Sequence, residues 1–327
     1  MPRVLSGMRP TGRMHIGHYL SVLLSYVEMQ ERFDCFYFAA DLHVLTTSAE
    51  YSSEIKENVF QMLIDWLAAG IDPKKATIFI QSQVPIHYNL YLALSMITPT
   101  GWLERNPTVK EMIRDLNLTD QVGLGLLGYP VLQAADILAY KGEVVPIGKD
   151  QRPHLEITRE IARRFNYFYG NTFPEPQEFL REYPYIPGTD GRKMSKSLDN
   201  SIFMSDDAIT IEKKAMLMIT DPEKIRKTDP GHPKICSVFD FHKIISTPNL
   251  EERADICVKG ELGCVQCKRE LAKELNTIIA TTREKRVLFE NHPDDVWDIL
   301  KTGSIKAKEI TNPIWDEICS KMGLKYG

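Results

Sequence analysis

The feature that most narrows what this chain can fold into is a change of hydrophobic period along its first half. Val4-Leu5-Ser6, Cys35-Phe36-Tyr37-Phe38-Ala39-Ala40 and Thr77-Ile78-Phe79-Ile80-Gln81 are short aromatic or β-branched runs that suit buried strands. Between them the apolar residues recur every three or four positions. Ile55, Val59, Met62, Leu63, Trp66 and Leu67 make one face of a helix that stops at Gly70. Buried strands alternating with amphipathic helices predict an α/β fold with a parallel sheet covered on both faces. Ligands of such sheets sit at the carboxyl ends of the strands, so the loop after the first strand is a privileged place.

That loop, Gly7-Met8-Arg9-Pro10-Thr11-Gly12-Arg13-Met14, feeds a helix beginning near His15 and continuing through Tyr19, Leu20, Leu23 and Tyr26. A strand, a Gly-bearing turn and a helix start make an anion site, because unpaired N–H groups and the positive end of the helix dipole point at it. His15 and His18 lie one turn apart, and Gly17 leaves room for a flat adenine or ribose close to the backbone. Taken alone, His-x-x-His is more often two solvated or core histidines, and as a metal pair it lacks a carboxylate.

A second word changes that weighting. After the turn Pro187-Gly188-Thr189-Asp190-Gly191-Arg192 comes Lys193-Met194-Ser195-Lys196-Ser197. A given five-residue word arises by chance in a chain this long in roughly one of ten thousand sequences. Mobile ammonium groups on Lys193 and Lys196 can stabilise charge passing onto a leaving pyrophosphate, with Gly188, Asp190 and Gly191 giving hinge freedom. Lysines and serines beside a Gly-rich turn are commonly solvated surface, but the order and the five-position match argue otherwise.

Tyr129-Pro130 opens a third informative segment. A helix starting after Pro130 puts Gln133 and Asp136 on neighbouring positions of one face, with Tyr129 close by. Burying Asp136 among Ala135, Ile137 and Leu138 is costly unless it meets a donor, whereas an ordinary amphipathic helix leaves it in water. A strand and turn follow in Val144-Val145-Pro146-Ile147-Gly148-Lys149-Asp150-Gln151, with Asp150 able to accept from ribose hydroxyls, and then a helix carrying His154, Glu156, Thr158 and Arg159. Gly123-Leu124-Gly125-Leu126-Leu127-Gly128 matches the dinucleotide fingerprint in letters only. The preceding Leu118-Thr119-Asp120-Gln121-Val122 is no convincing strand, and Tyr129-Pro130 interrupts the expected helix start. There is no Walker loop.

The His15-Ile16-Gly17-His18 and Lys193-to-Ser197 words together resemble the two signatures of class I aminoacyl-tRNA synthetases. Gln133-Ala134-Ala135-Asp136-Ile137-Leu138, Val145-Pro146-Ile147-Gly148-Lys149-Asp150-Gln151 and His154-Leu155-Glu156-Ile157-Thr158-Arg159-Glu160 narrow this to a likeness, over essentially the whole chain, to the bacterial tryptophanyl-tRNA synthetases. Tyrosyl-tRNA synthetases are the near relatives. The resemblance implies a Rossmann-like catalytic domain at 1–200, with a dimer-forming insertion at about 104–145. It further implies a helical anticodon-binding domain at 201–290 and terminal helices at 291–327 packing back on the catalytic domain.

By the same resemblance Lys193, Lys196, Lys110, His15 and His18 are catalytic. ATP falls to Arg9, Thr11, Gly12, Gly17, His18, Asp150, Lys193, Met194, Ser195 and Lys196. Tryptophan falls to Leu5, Gly7, Arg9, His43, Tyr129, Gln133, Asp136, Val145, Ile147 and Gln151, with Asp136 accepting the indole N–H. Arg9 stands where many members have glutamine, and Gln133 where many have methionine. The implied reaction is ATP- and Mg2+-dependent activation of L-tryptophan and transfer to the 2′-hydroxyl of the terminal adenosine of tRNA(Trp), by a homodimer. A tyrosyl enzyme, a small-molecule nucleotidyltransferase and a non-catalytic RNA-binding paralogue are the alternatives.

Of six cysteines, four cluster: Cys236, Cys257, Cys264 and Cys267. In a cytosolic chain such a set binds metal more often than it forms disulfides, and zinc is the default. A subset of the bacterial tryptophanyl enzymes has a similar array holding a [4Fe–4S] cluster, which the resemblance favours over Zn2+. Cys35 and Cys319 read as isolated buried residues. Net charge is −4, so RNA must be met by local patches such as Lys268, Arg269 and Lys273, which a solvated helix face explains equally well. The start carries no basic-then-apolar leader and no apolar run long enough to cross a bilayer, which predicts a cytoplasmic protein with no membrane partner.

Overall fold

The computed structural model describes residues 1–47, 49–118, 122–180 and 185–326. Residues 119–121, part of the segment preceding the Gly-rich word, lie outside the described residues. Five strands, β1 (Arg3–Met8), β2 (Asp34–Ala39), β3 (Ala76–Ile80), β4 (Val144–Ile147) and β5 (Gln177–Leu180), form one sheet in the order β3-β2-β1-β4-β5. Every pairing is parallel, with Leu5 beside Phe36 and Phe36 beside Thr77. The strand order turns back between β1 and β4, which opens a crevice at their carboxyl ends.

The period of two along the strands sorts the core. Leu5, Phe36, Phe38 and Phe79 face one side, and Val4, Cys35, Tyr37 and Ile78 the other. The second side is covered by α1 and α2. The helix α1 starts at Ile16–His18, passes through a π-helical turn at Tyr19–Leu23 and continues as Leu24–Met29. The helix α2 (Ile55–Ala69) ends as expected at Gly70, whose φ of 107° is open to glycine. Tyr26 of α1 stacks on Tyr37 of β2 at 4.1 Å. The first side is covered by α3 (Ile86–Ser95), α5 (Leu124–Ala139) and α6 (Arg152–Tyr169), with α4 (Pro107–Asp115) at the rim.

The helix expected to start after Pro130 in fact starts at Leu124 and carries Pro130 inside it. Proline withholds an N–H from Leu126 and costs about 3 kcal/mol in a free helix. Here α5 is nearly all buried, from Leu126 through Ala139, and packing outweighs that loss. The Gly123-to-Gly128 word therefore occupies the N-cap and first turns of a helix rather than a strand-to-helix turn, which agrees with rejecting it as a dinucleotide loop.

Four further helices, α7 (Ala208–Leu217), α8 (Ser237–Ile244), α9 (Leu250–Val258) and α10 (Cys264–Glu290), make a helical unit. Its core includes Ile211, Phe241 and Leu275, and also Ile16 and Met194. The apolar letters of both sequence words are thus anchored in the helical unit rather than in the sheet. The expected terminal helices are a single helix, α11 (Pro293–Lys321), which carries Pro313 inside it. This helix packs against the edge strand β3. A Cβ on Gly303 would lie 1.8 Å from the Ile78 carbonyl oxygen, and the Ile80 N–H donates to Ser304 Oγ at 3.4 Å.

Candidate active site

A cleft of about 450 Å³ opens at the carboxyl ends of β1 and β4, within the usual range for small-molecule sites. Leu5, Gly7 and Arg9 enter it from β1 and its loop, and His15, Gly17 and His18 from α1. His43, then Tyr129, Gln133 and Asp136 of α5, form a second wall. Val145, Ile147, Asp150 and Gln151 close the third, and Lys193 and Met194 reach in from the lysine word. Every residue expected for tryptophan is therefore in one place. Lys110 is not: it is exposed on α4, while Thr108 and Met112 of that helix line the cleft, because the buried Val109 turns Lys110 toward solvent. Thr11, Gly12, Ser195 and Lys196 stand beside the cleft rather than in its lining.

Asp136 is 2% exposed and heavily partnered. Its Oδ1 accepts from Gln81 Nε2 at 2.7 Å and His87 Nδ1 at 2.7 Å, and its Oδ2 accepts from His43 Nε2 at 2.9 Å. Burial pushes this carboxyl up, but the bonds from His43 and His87 outweigh it and hold it below the usual carboxylate range. The other ring nitrogen of His87, Nε2, pairs with Tyr140 OH at 3.0 Å. A carboxylate offers about four acceptor positions, so one remains on Oδ2. Gln81, His87 and Tyr140 form the buried network behind Asp136, which the sequence did not disclose. His154, expected only on a helix, also belongs here, pairing its Nε2 with Tyr129 OH at 2.9 Å.

His15 caps α1, and its Nδ1 accepts from the His18 N–H at 3.2 Å, which leaves the proton on Nε2. Gly17 serves this ring first: a Cβ there would meet His15 Nδ1 at 2.8 Å. The rings of His15 and His18 stack with centroids 3.7 Å apart. Burial, then the nearby Lys196 charge, lowers the His15 pKa to about 4, so it is a neutral donor at physiological pH.

Lys196 Nζ donates to the Thr11 carbonyl at 2.7 Å, to Thr11 Oγ1 at 2.9 Å and to the Gly12 carbonyl at 3.3 Å. The lysine word is thus latched onto the loop before α1. Burial lowers the Lys196 pKa to about 8 against the opposing pull of Asp65. Asp190 organises the turn ahead of it, accepting from Asn200 Nδ2 at 2.7 Å and the Arg192 N–H at 3.0 Å.

Cys236, Cys257, Cys264 and Cys267 line one small cavity together with Val238, Phe239 and Leu262. Cys264 opens α10, Cys267 lies one turn on, Cys257 is near the end of α9 and Cys236 caps α8. A Cβ on Gly231 would come within 2.5 Å of Cys257 Sγ, so the chain there passes against the sulfur. Arg253 Nη1 donates to Cys267 Sγ at 3.7 Å. All four are free thiols, and burial pushes the Cys267 thiol up to about 11. Among the described residues no group of three or more His, Cys, Asp or Glu side chains is arranged as a ready metal-ion site. In the expected basic patch, Lys268 Nζ is engaged with the Met216 carbonyl at 2.9 Å.

The family model of tRNA synthetases class I (W and Y) matches residues 1–280. The chain therefore belongs to the class I tRNA synthetases for tryptophan and tyrosine. Within that class it is 42% identical to the tryptophan–tRNA ligase of Aquifex aeolicus, over 98% of this chain and 100% of that protein. It is 44% identical to the tryptophan–tRNA ligase of Thermotoga maritima, over 99% of this chain and 100% of that one. Among solved structures, the tryptophanyl-tRNA synthetase of Campylobacter jejuni complexed with ADP and tryptophan superposes with a TM-score of 0.88 at 34% identity, covering 98% of this chain and 100% of that one.

Proposed function

We infer that this chain is a tryptophan–tRNA ligase. It activates L-tryptophan with ATP and transfers the product to the 2′-hydroxyl of the terminal adenosine of tRNA(Trp). The observation that supports the substrate is the acceptor position left on Oδ2 of Asp136, a buried carboxylate in the wall of the cleft whose other positions are taken by Gln81, His87 and His43. An indole N–H fills it, whereas phenylalanine would leave a buried acceptor without a donor.

In the first step the tryptophan carboxylate attacks the α-phosphorus of ATP in line. The bond to the β-phosphoryl oxygen breaks, and pyrophosphate leaves with the electron pair. Nε2–H of His15 donates to phosphoryl oxygen, and the ammonium groups of Lys193 and Lys196 meet the leaving charge. Magnesium would arrive with the ATP phosphates. In the second step the tRNA hydroxyl attacks the acyl carbonyl and AMP departs. No covalent enzyme intermediate is needed, so catalysis rests on positioning and electrostatics. The helices between residues 208 and 290 would serve as the anticodon-binding domain.

Four cysteines on one cavity, lined also by Val238, Phe239, Leu262, Asp221 and Lys224, are a donor set whose chemistry suits a [4Fe–4S] cluster, with Arg253 able to hydrogen-bond a thiolate. When bound, the cluster would cross-link α8, α9 and α10. A second copy of the chain is the expected partner of the insertion at about 104–145, and Tyr88 and Leu92 of α3 with Met96 just past it add exposed apolar surface at 43%, 57% and 70% exposure. The enzyme would work in the cytoplasm.

Amino-acid-dependent exchange of labelled pyrophosphate into ATP tests the assignment. Exchange that requires tryptophan is expected. Exchange with tyrosine instead would move the chain to the neighbouring specificity, and no exchange with any amino acid would falsify both.

A further inference from the structure

The helical unit and the ATP loop meet at a buried pair that the reaction itself does not use. Asp65 of α2 and Arg286 of α10 are 0% and 2% exposed, and Arg286 Nη1 donates to Asp65 Oδ1. The other carboxylate oxygen of Asp65 accepts from the Met14 N–H at 2.6 Å. Met14 is the residue immediately before the His15 cap. Gln61, one turn before Asp65, adds a parallel link: its Oε1 accepts from Arg286 Nη2 and, at 3.4 Å, from Arg13 Nε.

The loop is therefore held on two flanks. Lys196 grips Thr11 and Gly12 from the lysine word, while Asp65 and Gln61 grip Met14 and Arg13 from α2. The first grip reaches the helical unit through the packing of Met194, and the second through the buried pair of Asp65 with Arg286. The brace is a single helix of 27 residues with no proline or glycine between Cys264 and Glu290, about 40 Å long at 1.5 Å per residue. A buried ion pair serving only as a staple would need no backbone partner. Here half of the Asp65 carboxylate is committed to the chain at the point where it enters α1.

We propose that Asp65 and Arg286 are positioning residues: they carry the placement of the helical unit into the ATP loop, so that the seating of α10 sets where Met14 and His15 stand. The proposal rests on the ligase reading for its kinetic readout alone. Removing Arg286 leaves Asp65 buried without its counter-charge, and the loop then loses a fixed acceptor. Tyr129, Gln133 and Asp136 on α5 and Val145 and Ile147 on β4, which would face the tryptophan side chain, are not part of this link, and Gly7 and Arg9 stand at the far end of the loop from Met14.

The experiment uses the full-length protein, wild type and Arg286→Gln, Arg286→Lys and Gln61→Met. In exchange kinetics Arg286→Gln should lower kcat about tenfold or more with KM for tryptophan within about twofold, and Arg286→Lys should recover most of it. Limited trypsin digestion gives a readout independent of catalysis, because Arg13 is exposed: cleavage after Arg13 should quicken about fivefold in Arg286→Gln relative to other sites. If Arg286→Gln does not fold, Gln61→Met, which keeps the ion pair, should still quicken that cleavage. A folded Arg286→Gln enzyme with wild-type kcat and cleavage overturns the proposal, as does an equal loss in kcat and tryptophan KM. Wild-type protein without exchange would sink the activity reading, and the cleavage assay would still decide the strut.

Discussion

The substrate cleft and the cysteine cavity are both concave and both announced by short sequence words, yet they are built on opposite plans. The cleft is wide, open and lined by polar groups whose orientation is already set: Asp136 by three donors, His15 by its cap, Tyr129 by His154. The cavity is small and walled by Val238, Phe239 and Leu262 with Asp221 and Lys224 at its side, and among the described residues Arg253 donates a side-chain hydrogen bond to one of its four sulfurs. A site for ligands that come and go fixes its own groups beforehand. A site for a ligand that stays can leave the fixing to the ligand.

That contrast can be broken most forcefully at Lys196. Lys196→Ala should cut the exchange kcat by about a thousandfold while tryptophan affinity changes only a few-fold, as for loss of a group that acts on developing charge. Equal losses in calorimetric tryptophan affinity and in kcat would make the lysine a simple ground-state contact. The next effect is one of pH. Lys196 is charged below about 8 and loses its proton above it, so kcat/KM for exchange should fall about tenfold per pH unit beyond that point. In Lys196→Arg, whose guanidinium stays charged, that descending limb should vanish whatever the overall rate. The smallest effect belongs to the cavity. Cys264→Ser should abolish iron and sulfide binding by anaerobically purified protein and lower the melting midpoint by a few degrees, with exchange reduced at most about threefold. Zinc in place of iron would correct the metal, and a loss of exchange rivalling that of Lys196→Ala would merge the two sites into one.

Much of the fold was legible because the strands are buried on both faces and the helices on one, so hydrophobic period alone separates them. The cleft was legible through residues that sit in words. Gln81 and His87 escaped because each is an isolated polar residue whose partner, Asp136, lies 55 and 49 positions away. Pro130 misplaced the start of α5, since its local cost is outweighed only by packing that no local pattern displays. Lys110 was placed among the catalytic residues by resemblance alone, while the burial of Val109 decides where it points. The link from Arg286 to Met14 spans nearly the whole chain and has no local signature at all.

The position of Gly303 has a consequence for how the protein is made. The outer edge of β3 offers unpaired backbone groups until α11 arrives to cover it, and α11 follows all five strands in the sequence. Through most of its synthesis, then, the nascent sheet can be complete in its strands and still present a sticky rim to other chains. Substituting a side chain at Gly303 would prolong that exposure into the finished protein, turning a catalytic enzyme into an aggregation-prone one without touching its active site.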